Sequence, residues 1–150
     1  MLFLYKAYKN IFITMDYNFI SEIIKENNNI SFAYLFGSRA NNNIRLGSDL
    51  DIAVYFENEP SLDEIGKLSS ELEILTSCEI DLIKLNNLYD TNPELAYNII
   101  KDGILIFHRN INIANEFKKN AILRYLDFKP LRDKFHNLFL ERLSKNKFAL

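Results

Sequence analysis

The sequence, 150 residues long, predicts one α/β domain. Three observations carry this. Four apolar runs, starting at Ile30, Asp49, Glu79 and Ile104, have the length of strands. Segments of helical apolar spacing precede the first run and follow the other three. Apolar residues make up 48% of the chain against 25% charged, a balance suited to burying a core.

Taken in order, Asp16 caps a first helix. Phe19, Ile20, Ile23 and Ile24 form its apolar stripe, with Ser21, Glu22, Lys25 and Glu26 opposite. Asn27, Asn28 and Asn29 end it, and Ile30 to Phe36 follows as a buried strand. Gly37-Ser38 turns into a short helix near Arg39 and Ala40. Asn41 to Asn43 and Gly47-Ser48 read as loop. The second strand spans Asp49 to Phe56, and Glu57 to Pro60 is a turn. Ser61 and Glu64 form a capping-box pattern before a stripe of Ile65, Leu68, Leu72 and Leu75.

The third strand is Glu79 to Leu85. Asn92 as N-cap, Pro93 at the first helical position and Gly103 just past the end bracket a further helix. Its buried face is Leu95, Ala96, Ile99 and Ile100. Ile104 to Phe107 is the fourth strand. After Asn110 the pattern is helical to the end. Ala114, Phe117, Ala121, Tyr125 and Phe128 form one stripe, continued by Leu131, Phe135 and Leu138. Pro130 is expected to kink or break this helix.

Composition narrows the function. A net charge of −2 argues against a broad nucleic-acid-binding surface. Cys78 is the only cysteine, so no internal disulfide forms, as suits a reducing cytoplasm. Cys78 reads as structural, and His108 and His136 belong to no metal-ligand spacing. Residues 1–14, MLFLYKAYKNIFIT, are too short to span a membrane and lack the marks of a signal peptide. They read as an extension before a domain covering residues 15–150, with Met15 a natural second start. There is no internal repeat and no flexible linker.

The chemistry concentrates between Phe36 and Phe56. Strand residues i and i+2 share a face, so Asp49 and Asp51 aim at one spot. Two carboxylates about 4 Å apart repel by roughly 4 kcal/mol at an effective dielectric of 20. A divalent cation removes that cost, and Mg²⁺ takes one or two carboxylates plus substrate phosphates. Upstream, Gly37 allows a close backbone approach to a phosphate, with Ser38 beside it. Asp81 lies inside the apolar run Glu79-Ile80-Asp81-Leu82-Ile83, where a carboxylate is costly unless paired or metal-bound. Glu79 points to the same face and is the alternative. Protection of an edge strand is the competing explanation of either charge.

Gly37-Ser38, ten residues, then Asp49-x-Asp51 resembles the signature of the DNA polymerase β nucleotidyltransferase superfamily. FGSRA followed by SDLDIAV is most similar to its minimal nucleotidyltransferases, the MNT-type antitoxins paired with HEPN toxins. The resemblance extends over nearly the whole chain from about Asp16. It implies a polymerase-β-like fold, a mixed central sheet of about four strands backed by helices. It implies that Asp49, Asp51 and Asp81 are catalytic and hold two Mg²⁺ ions. ATP is then the substrate, with Gly37, Ser38 and Arg39 or Arg45 at its phosphates. The implied reaction moves AMP to a tyrosine of a cognate HEPN RNase toxin and releases pyrophosphate. The implied protein is a cytoplasmic antitoxin, in a hetero-oligomer with its toxin, with no membrane or direct nucleic-acid partner. Arg132 and His136, three residues between them, sit closer than the HEPN RNase motif requires, so this is not the toxin half. Tyr125, Phe128, Phe135 and Phe139 exceed what a small sheet needs to cover; core packing is the expected use of most of that surface, with some of it left to dock a partner.

Two other functions fit the residues. One is an antitoxin that neutralises by binding alone. The other is a nucleotidyltransferase for a small hydroxylated molecule such as an aminoglycoside. The relatives of that last kind carry a larger C-terminal domain, and about 40 residues after the last strand are too few for one.

Overall fold

A computed structural model describes residues 17–40 and 49–145. The elements run α1 (Tyr17–Glu26), β1 (Ile30–Phe36), a 3-10 turn (Gly37–Arg39), β2 (Leu50–Phe56), α2 (Leu62–Thr76) and β3 (Ile80–Lys84). Then come α3 (Leu88–Thr91), α4 (Pro93–Asp102), β4 (Ile104–His108) and α5 (Ile111–Ser144). The sheet order is β3-β2-β1-β4. It is mixed: β1 is antiparallel to β2 and β4, while β2 and β3 are parallel. The parallel pair needs a crossover, and α2 supplies it.

Strand alternation builds two cores. On one face Leu50, Ile52, Val54 and Phe56 of β2 meet Ile20 and Ile24 of α1 and Leu68 and Leu72 of α2. On the other, Phe32, Tyr34 and Ala53 meet Ala96 and Ile99 of α4 and Ala114, Phe117 and Ala121 of α5. Helices cover both faces, which explains why β1 reads as a continuous apolar run and not as alternation.

The structure departs from the sequence reading in several places. β2 begins at Leu50, leaving Asp49 just outside it, and β3 is trimmed to Ile80–Lys84. Phe19 and Leu75 are exposed, although their spacing placed them on buried stripes. Thr76 is buried at the end of α2 instead, its hydroxyl donating to the Leu72 carbonyl at 2.7 Å.

The capping box is half made. Ser61 Oγ accepts from the Glu64 amide at 3.1 Å. The Glu64 carboxylate instead accepts from the side-chain amides of Asn27 and Asn29, both at 3.1 Å. It ties the end of α1 to the start of α2. α3 was not anticipated; Asn87, in the left-handed region with φ 60°, opens it. Just before it, Asn86 exchanges two hydrogen bonds with the Phe56 backbone, at 2.9 and 2.8 Å, where a strand neighbour would stand.

Pro130 does not break α5, which continues to Ser144. Its ring removes one donor to the Leu126 carbonyl. Leu126 and Pro130 are both exposed, so water can satisfy that carbonyl. The extension over residues 1–14, the Asp16 cap, Asn41 to Asn43, Arg45 and Gly47-Ser48 lie outside the described residues. Among the described residues, no helix is long and apolar enough to cross a membrane.

Candidate active site

The end of β1 and the starts of β2 and β3 meet at one edge of the sheet. Phe36 pairs with Asp51, and Asp51 stands directly opposite Asp81 in the parallel register. Residues opposite one another in a sheet share a face. Asp51 and Asp81 therefore lie on the face that continues through Ala53 and Leu85 into the α4–α5 core. Asp49 is two residues before Asp51, and the Leu50 amide donates to the Glu79 carbonyl at 2.8 Å. That bond ties the start of β2 to the start of β3. Asp51 is half-buried, and Asp49, Asp81 and Glu79 are exposed.

The turn after β1 is built against this edge. Gly37 has φ 76°, in the left-handed region. A Cβ there would stand 2.1 Å from Asp51 Oδ2 and 2.9 Å from its Cγ. The glycine backbone thus occupies space that no side chain can share with the Asp51 carboxylate. Ser38 follows it, exposed. Arg39 lies in the same turn, and its side chain falls outside the described residues, as Arg45 does.

Among the described residues, no three His, Cys, Asp or Glu side chains stand close enough to hold one metal ion. The carboxylates share an edge and, for Asp51 and Asp81, a register, without converging on a point. Their donor chemistry still suits Mg²⁺, which needs only one or two protein carboxylates and takes its other oxygens from phosphate and water. Contrary to the expectation of a costly carboxylate inside an apolar run, Asp81 is exposed on an edge strand, so no desolvation cost singles it out. What distinguishes it is its place opposite Asp51. Cys78 donates to the Thr76 carbonyl at 3.3 Å in the turn before β3. His108 and His136 are exposed, on β4 and α5.

Two residues carried no local sequence signal, Tyr34 beside the site and Arg109 at the far end of β1. Tyr34 lies on the same face as Asp51, and burial pushes its phenol above the usual tyrosine range. Arg109 donates to the carbonyls of Ile30 at 2.8 Å, Lys25 at 2.6 Å and Asn27 at 3.0 Å. It caps α1 from a position about 80 residues later in the chain.

Fold and edge together define a class: a mixed-sheet α/β domain with carboxylates gathered beside a glycine turn. Residues 18–112 match the family described as polymerase beta, nucleotidyltransferase, and the chain belongs to it. It is similar to the protein adenylyltransferase MntA of Aphanizomenon flos-aquae, 28% identical over 121 residues, covering 72% of this chain and 79% of that protein. It is 33% identical over 72 residues to a putative protein adenylyltransferase of Methanocaldococcus jannaschii, covering 48% and 74%. Among solved structures, it resembles a chain of a toxin–antitoxin crystal structure with AMP-PNP. The TM-score there is 0.72 at 20% identity, covering 84% of this chain and 99% of that one. It also resembles a chain of the tri-AMPylated Shewanella oneidensis HEPN toxin in complex with its MNT antitoxin. The TM-score is 0.66 at 19% identity, covering 83% and 95%. At these identities the structural likeness establishes the fold.

Proposed function

We propose that this chain is an Mg²⁺-dependent protein adenylyltransferase, an antitoxin that moves AMP from ATP to a tyrosine hydroxyl of a HEPN-type toxin. One observation carries the reading: Asp51 faces Asp81 in register while Gly37 gives up its side-chain space to the Asp51 carboxylate. The names of the adenylyltransferase relatives support it.

In this reading Asp49, Asp51 and Asp81 are the residues that would hold Mg²⁺, which would supply charge neutralisation at the phosphates. Gly37 and Ser38 lie along the triphosphate, the glycine letting the backbone approach and the serine offering a hydroxyl. Arg39 adds positive charge there. Asp81, exposed on the edge strand, stands open to an incoming phenol. The phenol oxygen bonds to the α-phosphorus, the bond to the β-phosphate bridge breaks, and pyrophosphate departs. The phenolic proton passes to the edge carboxylates or water.

A second reading, neutralisation by binding alone, is favoured by the absence of a three-carboxylate cluster among the described residues. The two separate cleanly. The chain is incubated with α-labelled ATP, Mg²⁺ and the HEPN protein encoded with it. Label reaching the partner, and lost in Asp51→Asn, supports the enzyme. Full neutralisation by Asp49→Ala/Asp51→Ala supports occlusion.

A further inference from the structure

We infer that the projecting half of α5 is the arm on which the acceptor protein docks, through exposed apolar side chains set among mostly basic groups. This rests on the protein-acceptor reading above. α5 has 34 residues, a length of about 51 Å. A four-stranded sheet of short strands is only about 20 Å across in either direction. Burial follows that arithmetic. Ala114, Phe117 and Ala121 are its buried residues, and all lie in the first third. Beyond them Leu131, Phe135, Leu138 and Phe139 are 45–63% exposed along one side of the helix, and Leu123, Leu126 and Leu140 are 48–56% exposed outside that stripe. Patches of that kind on a soluble domain mark contact sites.

The arm is rooted rigidly. Tyr125 stacks on Tyr97 of α4, with ring centroids 4.0 Å apart and 3° between planes. Arg132 lies over the Tyr125 ring and donates to Glu94 at 2.6 Å and to Asp133 at 3.0 Å. The neighbouring Asp133 and Tyr125 hold the Arg132 guanidinium well above its ordinary pKa. These contacts also set direction. α4 ends at Gly103, beside Leu35 at the catalytic edge, so its start, with Glu94, lies toward the other end. Phe117 packs on Phe32, Tyr55 and Tyr89, again away from the carboxylates. The arm therefore leaves the domain on the side remote from Asp51.

Charge selects the occupant. Arg124 is paired with Asp90, Arg132 with Glu94 and Asp133, and Glu141 with Lys145. The remaining exposed charges of the arm are mostly basic: Lys129, Lys134 and Arg142 against Asp127. A second copy would set like charge against like, which opposes symmetric pairing. Seven large apolar side chains do not suit a nucleic acid, whose backbone wants cations. A protein with an apolar face and acidic rim matches both features. Because the arm is remote from the reacting groups, its binding energy is uniform and sets KM, leaving kcat alone.

The test is calorimetric titration with the purified HEPN protein encoded with this chain, alongside label transfer. Leu131→Glu/Phe135→Glu alters exposed positions and is expected to weaken binding at least ~100-fold, with kcat at saturating partner unchanged. Lys129→Glu/Lys134→Glu is expected to weaken it by roughly tenfold at low salt, the gap closing as salt rises. Asp51→Asn is expected to bind as tightly as the wild type. Tight binding without any label transfer overturns the chemistry and leaves the arm standing. Binding by Leu131→Glu/Phe135→Glu within twofold of wild type overturns the arm, as does no binding by the wild type. So does a wild-type dimer in sedimentation that the same substitution splits, or labelled RNA bound through the arm residues.

Discussion

Gly37→Ala tests how the turn and the carboxylates depend on each other. The substitution meets two obstacles. The first is backbone: at φ 76° an alanine sits in the left-handed region, which costs about 1–2 kcal/mol. The second is contact: the new Cβ would lie 2.1 Å from Asp51 Oδ2, a separation that no pair of atoms tolerates. Either the Asp51 side chain leaves its rotamer or the Phe36–Asp51 pairing opens. For a chain of this size 1 kcal/mol lowers Tm by about 2–4 °C, so a fall of about 2–8 °C is expected. Activity should suffer more than stability. Moving a carboxylate by about 1 Å at a reacting centre costs around 100-fold. The variant should remain folded, keep its affinity for the partner, and transfer label about 100-fold more slowly. Thermal unfolding and α-labelled ATP measure the two effects separately. Wild-type transfer with wild-type Tm would refute the reasoning, because the described contact would then be absent.

Other substitutions probe the frame around the site. Gly66→Ala is the control: nothing lies within 4 Å of its added Cβ in exposed α2, so stability should rise by about 0.5–1 kcal/mol, read from the urea midpoint. Ser31 Oγ is buried with no hydrogen-bond partner among the described residues, so Ser31→Ala should raise stability by about 1 kcal/mol, and a fall in Tm would contradict this. Arg109→Ala removes three carbonyl contacts and should cost about 2–3 kcal/mol; Arg109→Lys, lacking the fork, should recover less than half in the same urea titration. Tyr34 stays protonated in the fold because burial raises its pKa. Unfolded tyrosine titrates near 10, so the unfolded state loses its proton first and stability falls as pH rises above about 10. Tyr34→Phe should flatten part of that fall, measured as Tm against pH.

Much of the fold was legible because the strands are dense apolar runs and the helices carry strong end signals. Asn92, Pro93 and Gly103 bracketed α4 correctly, since each acts on its own neighbours. Asp49 and Asp51 were legible for the same reason: i and i+2 is a local relation. Illegible were the contacts made between distant segments. Nothing near Arg109 says that its guanidinium will close α1, and nothing near Asn86 says that it will pair with Phe56. The register of Asp81 opposite Asp51 depends on how α2 returns the chain. Asp81 was chosen by resemblance and by a burial argument that its exposure removes. Glu64 illustrates competition: its local role at Ser61 gave way to two side-chain amides of the Asn27–Asn29 run.

α5 shows where periodicity stops being informative. A stripe at helical spacing says that one face avoids water, and it does not say what covers that face. Ala114, Phe117 and Ala121 are covered by the sheet and α4, whereas Leu131, Phe135 and Leu138 obey the same spacing and are not. An isolated helical segment gains little from propensity alone, so most of its stability must come from packing. The uncovered half is therefore the part of the domain with the most to gain from a partner. Amide exchange makes this visible. In the free chain the amides of residues 133–144 should exchange far faster than those of 114–125, and saturating HEPN protein should slow the first set selectively. Equal protection of both halves in the free chain would mean that α5 is already covered, and the reasoning from exposed side chains would fail.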